Sequence, residues 1–144
     1  ANLLRAQGDL SGAINDLNVA IRLNPESAEA YHARGLVKQR QGHDAEAIGD
    51  FAAAIDRNPF VAAPYAARGQ SLISTNQFDK AIEDYNAALN VNSKDAASWA
   101  YRGLAYEKTN RRKEATESYQ QAARLDPSNP IAKQGLGRIQ GSLF

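Results

Sequence analysis

The chain repeats itself every 34 residues, and no other property of the sequence limits its fold as sharply. Tyr31, Tyr65 and Trp99 stand one period apart, as do Arg34, Arg68 and Arg102, and Gly35, Gly69 and Gly103. The second half of the unit keeps the same phase in Ala13, Ala47, Ala81 and Ala115, then Leu17, Phe51, Tyr85 and Tyr119, then Ala20, Ala54, Ala88 and Ala122. Each unit closes on Pro25, Pro59, Ser93 or Pro127. A fixed period of this length builds a stack of like units, each buried against its own two halves and its neighbours. One globular core is thereby excluded, and the buried volume grows linearly along the chain.

Within a unit the pattern reads as two helices. Over 28–41, 62–75 and 96–109, apolar and small residues recur at helical spacing, as in Tyr65, Gly69 and Leu72. Where these helices must stop, the four units carry Gly8, Gly42, Asn76 and Asn110, the residue types that most readily take the left-handed conformation closing a helix. Second helices are expected over 10–23, 44–57, 78–91 and 112–125, each ended by the proline or serine turn. A last helix should follow over 130–140, with Asn129 as its cap and Pro130 in its first turn. The glycine shared by three first helices has a use only if its small size admits a close neighbour. The facing alanines Ala47, Ala81 and Ala115 are the expected ones.

Trp99, Gly103, Tyr106, Ala115, Tyr119, Ala122 and Pro127 form the series by which the unit resembles the tetratricopeptide repeat. The resemblance covers the whole chain: a partial repeat over 1–27, full repeats over 28–61, 62–95 and 96–129, and a capping helix over 130–144. It implies an all-α fold, a right-handed superhelical solenoid of antiparallel helix pairs. It also implies a non-catalytic adaptor that holds a peptide or helical segment of a partner protein in a concave groove. Two departures stand out. Arg34, Arg68 and Arg102 occupy a place where the family commonly has leucine, and Asp16, Asp50 and Asp84 precede the large apolar residue of the second helix. Arg34 should pair with Asp50, and Arg68 with Asp84. Arg102, facing Ser118 instead, is left as the arginine most available to a ligand.

The first helices should line the concave side, each turning one face to the core and the next face round to the groove. The groove candidates are His32, Leu36, Gln39 and Arg40 in unit two, Ala66, Gln70 and Ile73 in unit three, and Ala100, Leu104 and Glu107 in unit four, with Arg138 of the last helix. Tyr101 is added as a hydrophobic anchor, because neighbouring units have Ala33 and Ala67 at its phase. Ala63, Ala66, Ala97 and Ala100 give this floor a small, apolar middle suited to an apolar or helical segment. Alanine is also the best helix former, and the sequence leaves both explanations open. Relatives that grip acidic carboxy-terminal tails of chaperones use a clamp of lysine, asparagine and arginine. Here the matching places hold His32, Leu36, Ala67, Ala97 and Tyr101, or Ala66, Gln70, Tyr101, Ile131 and Gly135, so no chaperone-tail carboxylate clamp is expected.

The remaining chemistry is sparse. With His32 and His43 as the two histidines, no cysteine and no phosphate-cradling loop, no catalytic, cofactor or metal site is expected. Net charge is +1, and the basic excess of residues 101–144, including Arg111-Arg112-Lys113, is too weak to indicate nucleic acid. No apolar run is long enough to span a membrane. The absence of cysteine fits a reducing or an oxidising compartment equally, so cytoplasm and periplasm stay open. The chain begins in mid-unit, which leaves Leu3, Leu4, Leu10, Ile14 and Leu17 without a preceding helix pair and allows for an upstream segment. Two alternatives to the adaptor therefore stand: self-association through the N-terminal end, or a regulatory repeat region of a larger enzyme.

Overall fold

The computed structural model describes residues 2–141, with side chains from Gly8 onward. Eight helices follow in order: α1 Asn2–Leu23, α2 Ala28–Arg40, α3 Asp44–Arg57, α4 Ala62–Ser74, α5 Phe78–Val91, α6 Ala96–Lys108, α7 Arg112–Leu125 and α8 Pro130–Gly141. There is no strand among the described residues. Each helix packs on the next, and α2, α4 and α6 also touch in series along one side, giving an all-α solenoid.

The turns inside the helix pairs close as their residue types require. Gly42, Asn76 and Asn110 sit at φ of 82°, 62° and 62°, the left-handed region that other side chains resist. Around Asn76, the Asn76 amide donates to Ile73 O at 3.0 Å and the Gln77 amide to Leu72 O at 2.7 Å, which satisfies carbonyls the helix end would leave bare. Gly8 does not behave this way. It lies inside α1, which runs unbroken from Asn2 to Leu23, so the expected turn and separate second helix are absent there. Continuing the helix through Gly8 adds a backbone hydrogen bond per residue. At the other end, Asn129 caps α8 by accepting from the Ala132 amide at 3.0 Å.

The core is a row of rings. Phe51, Tyr85 and Tyr119 are fully buried, each framed by alanines of its own helix such as Ala81 and Ala88. Burying one such ring contributes on the order of 2–3 kcal/mol. The close neighbour of each first-helix glycine is this ring and not the facing alanine. A Cβ on Gly35, Gly69 or Gly103 would come within 2.6, 2.7 or 2.8 Å of Phe51, Tyr85 or Tyr119. The glycines are small so that a six-membered ring can lie against the backbone.

The arginines brace the pairs. Arg34 donates from Nε and Nη2 to both oxygens of Asp50 at 2.9 and 2.7 Å, and Arg68 does the same to Asp84 at 2.7 and 2.7 Å. Hydrogen bonding to these carboxylates holds both guanidinium pKa values above their usual level. Arg102 is not free. Its Nε donates to Ser118 Oγ at 3.2 Å, its Nη1 to Asn86 Oδ1 at 2.8 Å, and its guanidinium lies 4.6 Å from the Trp99 ring centre. The turns between pairs are tied down by the phase that opens each unit: Tyr65 Oη donates to Pro59 O at 3.0 Å and Trp99 Nε1 to Ser93 O at 2.8 Å.

Candidate functional site

The aligned faces of α2, α4 and α6 enclose an open cleft of about 340 Å³. Its walls are His32, Leu36, Ala63, Ala66, Ala67, Gln70, Ala97, Ser98 and Tyr101, with Asp95 at the rim and Tyr85 behind. A second cleft of about 380 Å³ adjoins it, lined by Gln39, Arg40, Asp44, Gln70, Ile73, Ser74 and Tyr101. Gln70 and Tyr101 belong to both. The two clefts therefore form one trough across the stack, apolar in the first part and mixed in the second.

Eight of the residues expected from the sequence meet in this trough: His32, Leu36, Gln39, Arg40, Ala66, Gln70, Ile73 and Tyr101. Burial holds the His32 imidazole below its ordinary pKa and hence neutral at pH 7, its ring tilted against Phe51 at 5.8 Å. Tyr101 does not project freely, since its ring stacks on Tyr85 at 5.9 Å with planes 11° apart. Gln39 is already committed, donating from Nε2 to Ala67 O and to Ser71 Oγ, both at 2.9 Å, while Ser71 Oγ donates onward to Asp44 Oδ1 at 2.8 Å. Arg40 is exposed and makes no ion pair among the described residues.

Four expectations are corrected or qualified. Ala100 is 0 % exposed and packs with Ala115, Tyr119, Ala122 and Ala132, so it faces the core. Leu104 leans on the same cluster. Glu107 and Arg138 bind each other at 2.9 and 3.0 Å through both carboxylate oxygens, and Tyr119 Oη adds a donor to Glu107 Oε1 at 2.7 Å. The Arg138 hydrogen bonds, more than the Tyr119 one, hold the Glu107 carboxyl below the usual range. The phase argument placed these residues on the right helices but missed that α8 packs against α6 and covers part of unit four's face.

Sequence reasoning missed Asp44, Ser71, Asp95 and Ser98. A signal existed for two of them. Ser71 stands where the other units have Val37 and Ala105, and Ser98 where they have Ala30 and Pro64. A hydroxyl at an apolar phase marks a local hydrogen-bond network. Leu3, Leu4, Leu143 and Phe144 lie outside the side chains the structure describes. Among the described residues, no group of histidine and carboxylate side chains is placed to hold a metal, and no helix is long and apolar enough to cross a membrane.

A stacked series of helix pairs with an open trough along its first helices defines a repeat scaffold. Family models described as "TPR repeat" and "Tetratricopeptide repeat" match residues 1–42 and 66–130, and the chain belongs to the tetratricopeptide repeat family, a class of protein-interaction scaffolds. No curated protein is a significant sequence match. Among solved structures, MamA superposes with a TM-score of 0.90 at 22 % identity, covering 96 % of this chain and 81 % of that one. The Arabidopsis OM64 TPR domain gives 0.79 at 26 % identity, over 81 % of this chain and 97 % of the other. The first TPR domain of Spaghetti (RPAP3), bound to the HSP90 peptide SRMEEVD, gives 0.78 at 25 % identity, over 81 % and 92 %.

Proposed function

We propose that the protein is a non-catalytic adaptor that holds an extended or helical segment of a partner protein in the trough across α2, α4 and α6. The observation that carries this is the continuity of the two clefts through Gln70 and Tyr101. An apolar floor next to a mixed stretch with polar side chains and an exposed arginine can bury part of a segment and orient the rest. The RPAP3 domain, a structural neighbour bound to a peptide, supports a peptide segment as the kind of ligand. The occupant differs in chemistry from SRMEEVD, because no lysine or arginine lines the central cleft. A clamp for an acidic tail has no cation there to act with.

Affinity capture from cell lysate, comparing the native chain with Ala63→Arg/Ala97→Arg, tests the reading. Both alanines are exposed and line the cleft, so the arginines fill it and leave the core alone. A partner held by the native chain and lost by the folded variant is the expected result. Equal capture by both would move the binding surface to another face.

A further inference from the structure

The repeat supplies an internal control for one buried group. Phe51, Tyr85 and Tyr119 share a phase, and all three rings are fully buried. Tyr119 Oη donates to Glu107 Oε1 at 2.7 Å. One period before Glu107 stands Ile73, so the acceptor that serves Tyr119 has no counterpart in unit three. Tyr85 Oη accordingly has no hydrogen-bond acceptor among the described residues. Phe51 demonstrates that the phase accepts a ring without a hydroxyl, and a buried donor without an acceptor costs stability. The hydroxyl of Tyr85 is thus a group the packing does not need.

Its location gives it a use. Tyr85 lies at the back of the central cleft, covered by the stacked ring of Tyr101, which is only partly buried and borders both clefts. The charged and titratable groups around it are few. Asp95 Oδ2 accepts from Ser98 Oγ at 2.7 Å, the His32 imidazole is neutral at pH 7, and the nearby Asp84 is bound through both oxygens by Arg68. No cation faces the cleft to balance an incoming anion, and Asp95 opposes one. A cationic tip would suit Asp95 but bring no acceptor for the tyrosine.

We propose, building on the groove reading above, that the central cleft takes a partner side chain with an apolar stem and a carboxamide tip, glutamine or asparagine. Its carbonyl oxygen accepts from Tyr85 Oη once the Tyr101 ring turns aside. The alanine walls match the stem. The amide nitrogen finds acceptors in Asp95 and in the Gln70 side-chain oxygen, both part of the same lining. Tyr85 acts here as a specificity-determining residue, rewarding the tip that satisfies it.

Selection of a random dodecapeptide display library on the native chain, followed by affinity measurement of the best peptide, tests this. Selected peptides should carry glutamine or asparagine at one fixed position. Tyr85→Phe should weaken the best peptide about 3- to 10-fold, and exchanging that glutamine for methionine should weaken it more than that on the native chain, and by about 3- to 10-fold less on the variant than on the native chain. Tyr85→Phe should unfold at the same or a higher temperature. If peptides bind, lose binding on Ala63→Arg/Ala97→Arg, and share no carboxamide position or ignore Tyr85→Phe, the carboxamide inference falls and the groove reading stands. Peptides that bind the blocked variant as well as the native chain, or a selection that yields none, would overturn both.

Discussion

Replacing Gly69 by alanine should destabilise the protein, while the same exchange at Gly49 should stabilise it. Both glycines are helical, so both gain roughly 0.5–1 kcal/mol from the better helix propensity of alanine. At Gly49 nothing lies within 4 Å of the new methyl group, and the gain is realised in full. At Gly69 the methyl carbon would lie 2.7 Å from Cε2 and from Cζ of Tyr85, closer than carbon atoms approach. That ring is fully buried and backed by Tyr101, so relief requires moving a packed side chain. Overpacking of this kind costs about 1–3 kcal/mol, which leaves a net loss of up to about 2.5 kcal/mol. In a chain of this size that lowers the melting temperature by up to about 7 °C. Gly103→Ala should cost more, because Gly135 closes on the far side of Tyr119 and the ring has nowhere to retreat. Urea and thermal denaturation followed by far-UV circular dichroism measure all three. If Gly69→Ala and Gly49→Ala raised stability equally, the close approach of ring and backbone would not be what holds these pairs together.

Ser118→Asp should raise the urea midpoint by an amount corresponding to about 1 kcal/mol, since it restores opposite Arg102 the carboxylate that Arg34 and Arg68 already have; the gain should vanish in an Arg102→Ala background. Glu107→Gln should lower stability at neutral pH by about 0.5–1 kcal/mol, a modest figure because the site is partly exposed. The Glu107 carboxyl sits below its ordinary value of 4.5 in the folded state, so its contribution is complete above that pH and fades as pH falls through the folded pKa. Native and variant melting curves should therefore converge in acid, and a constant gap down to pH 2 would contradict the assignment. The peptide SRMEEVD should show no saturable binding by isothermal titration calorimetry, and micromolar affinity would show that a clamp forms from residues other than those lining the cleft.

The helices from α2 onward were legible because three independent signals agree in each full unit: helical spacing, a left-handed Gly or Asn, and a proline or its substitute. The Arg34–Asp50 and Arg68–Asp84 pairs were legible for a related reason, as two charges that depart from the usual pattern together must answer each other. Gly8 misled because a residue type only permits a turn. The glycine neighbours misled because spacing identifies a face without saying which of its residues projects furthest, and a ring reaches the backbone that a facing methyl group does not. The candidate site was legible as a face and less so as a list. Ala100 and Glu107 share the helical register of groove residues, yet each touches α8, and the register within one helix does not show which later helix will pack on it.

Trp99, the one tryptophan of the chain, is held by Ser93 O and by the Arg102 guanidinium at the junction of the third and fourth units. Its emission is therefore a local signal, whereas circular dichroism averages over the whole stack of helices. Followed together through a denaturant series, the two readouts ask whether the stack melts as one body or from its ends inward. Coincident curves would mean that each junction transmits the state of its neighbour along the whole array. Separated curves would measure, without any introduced label, the free energy that couples one unit to the next.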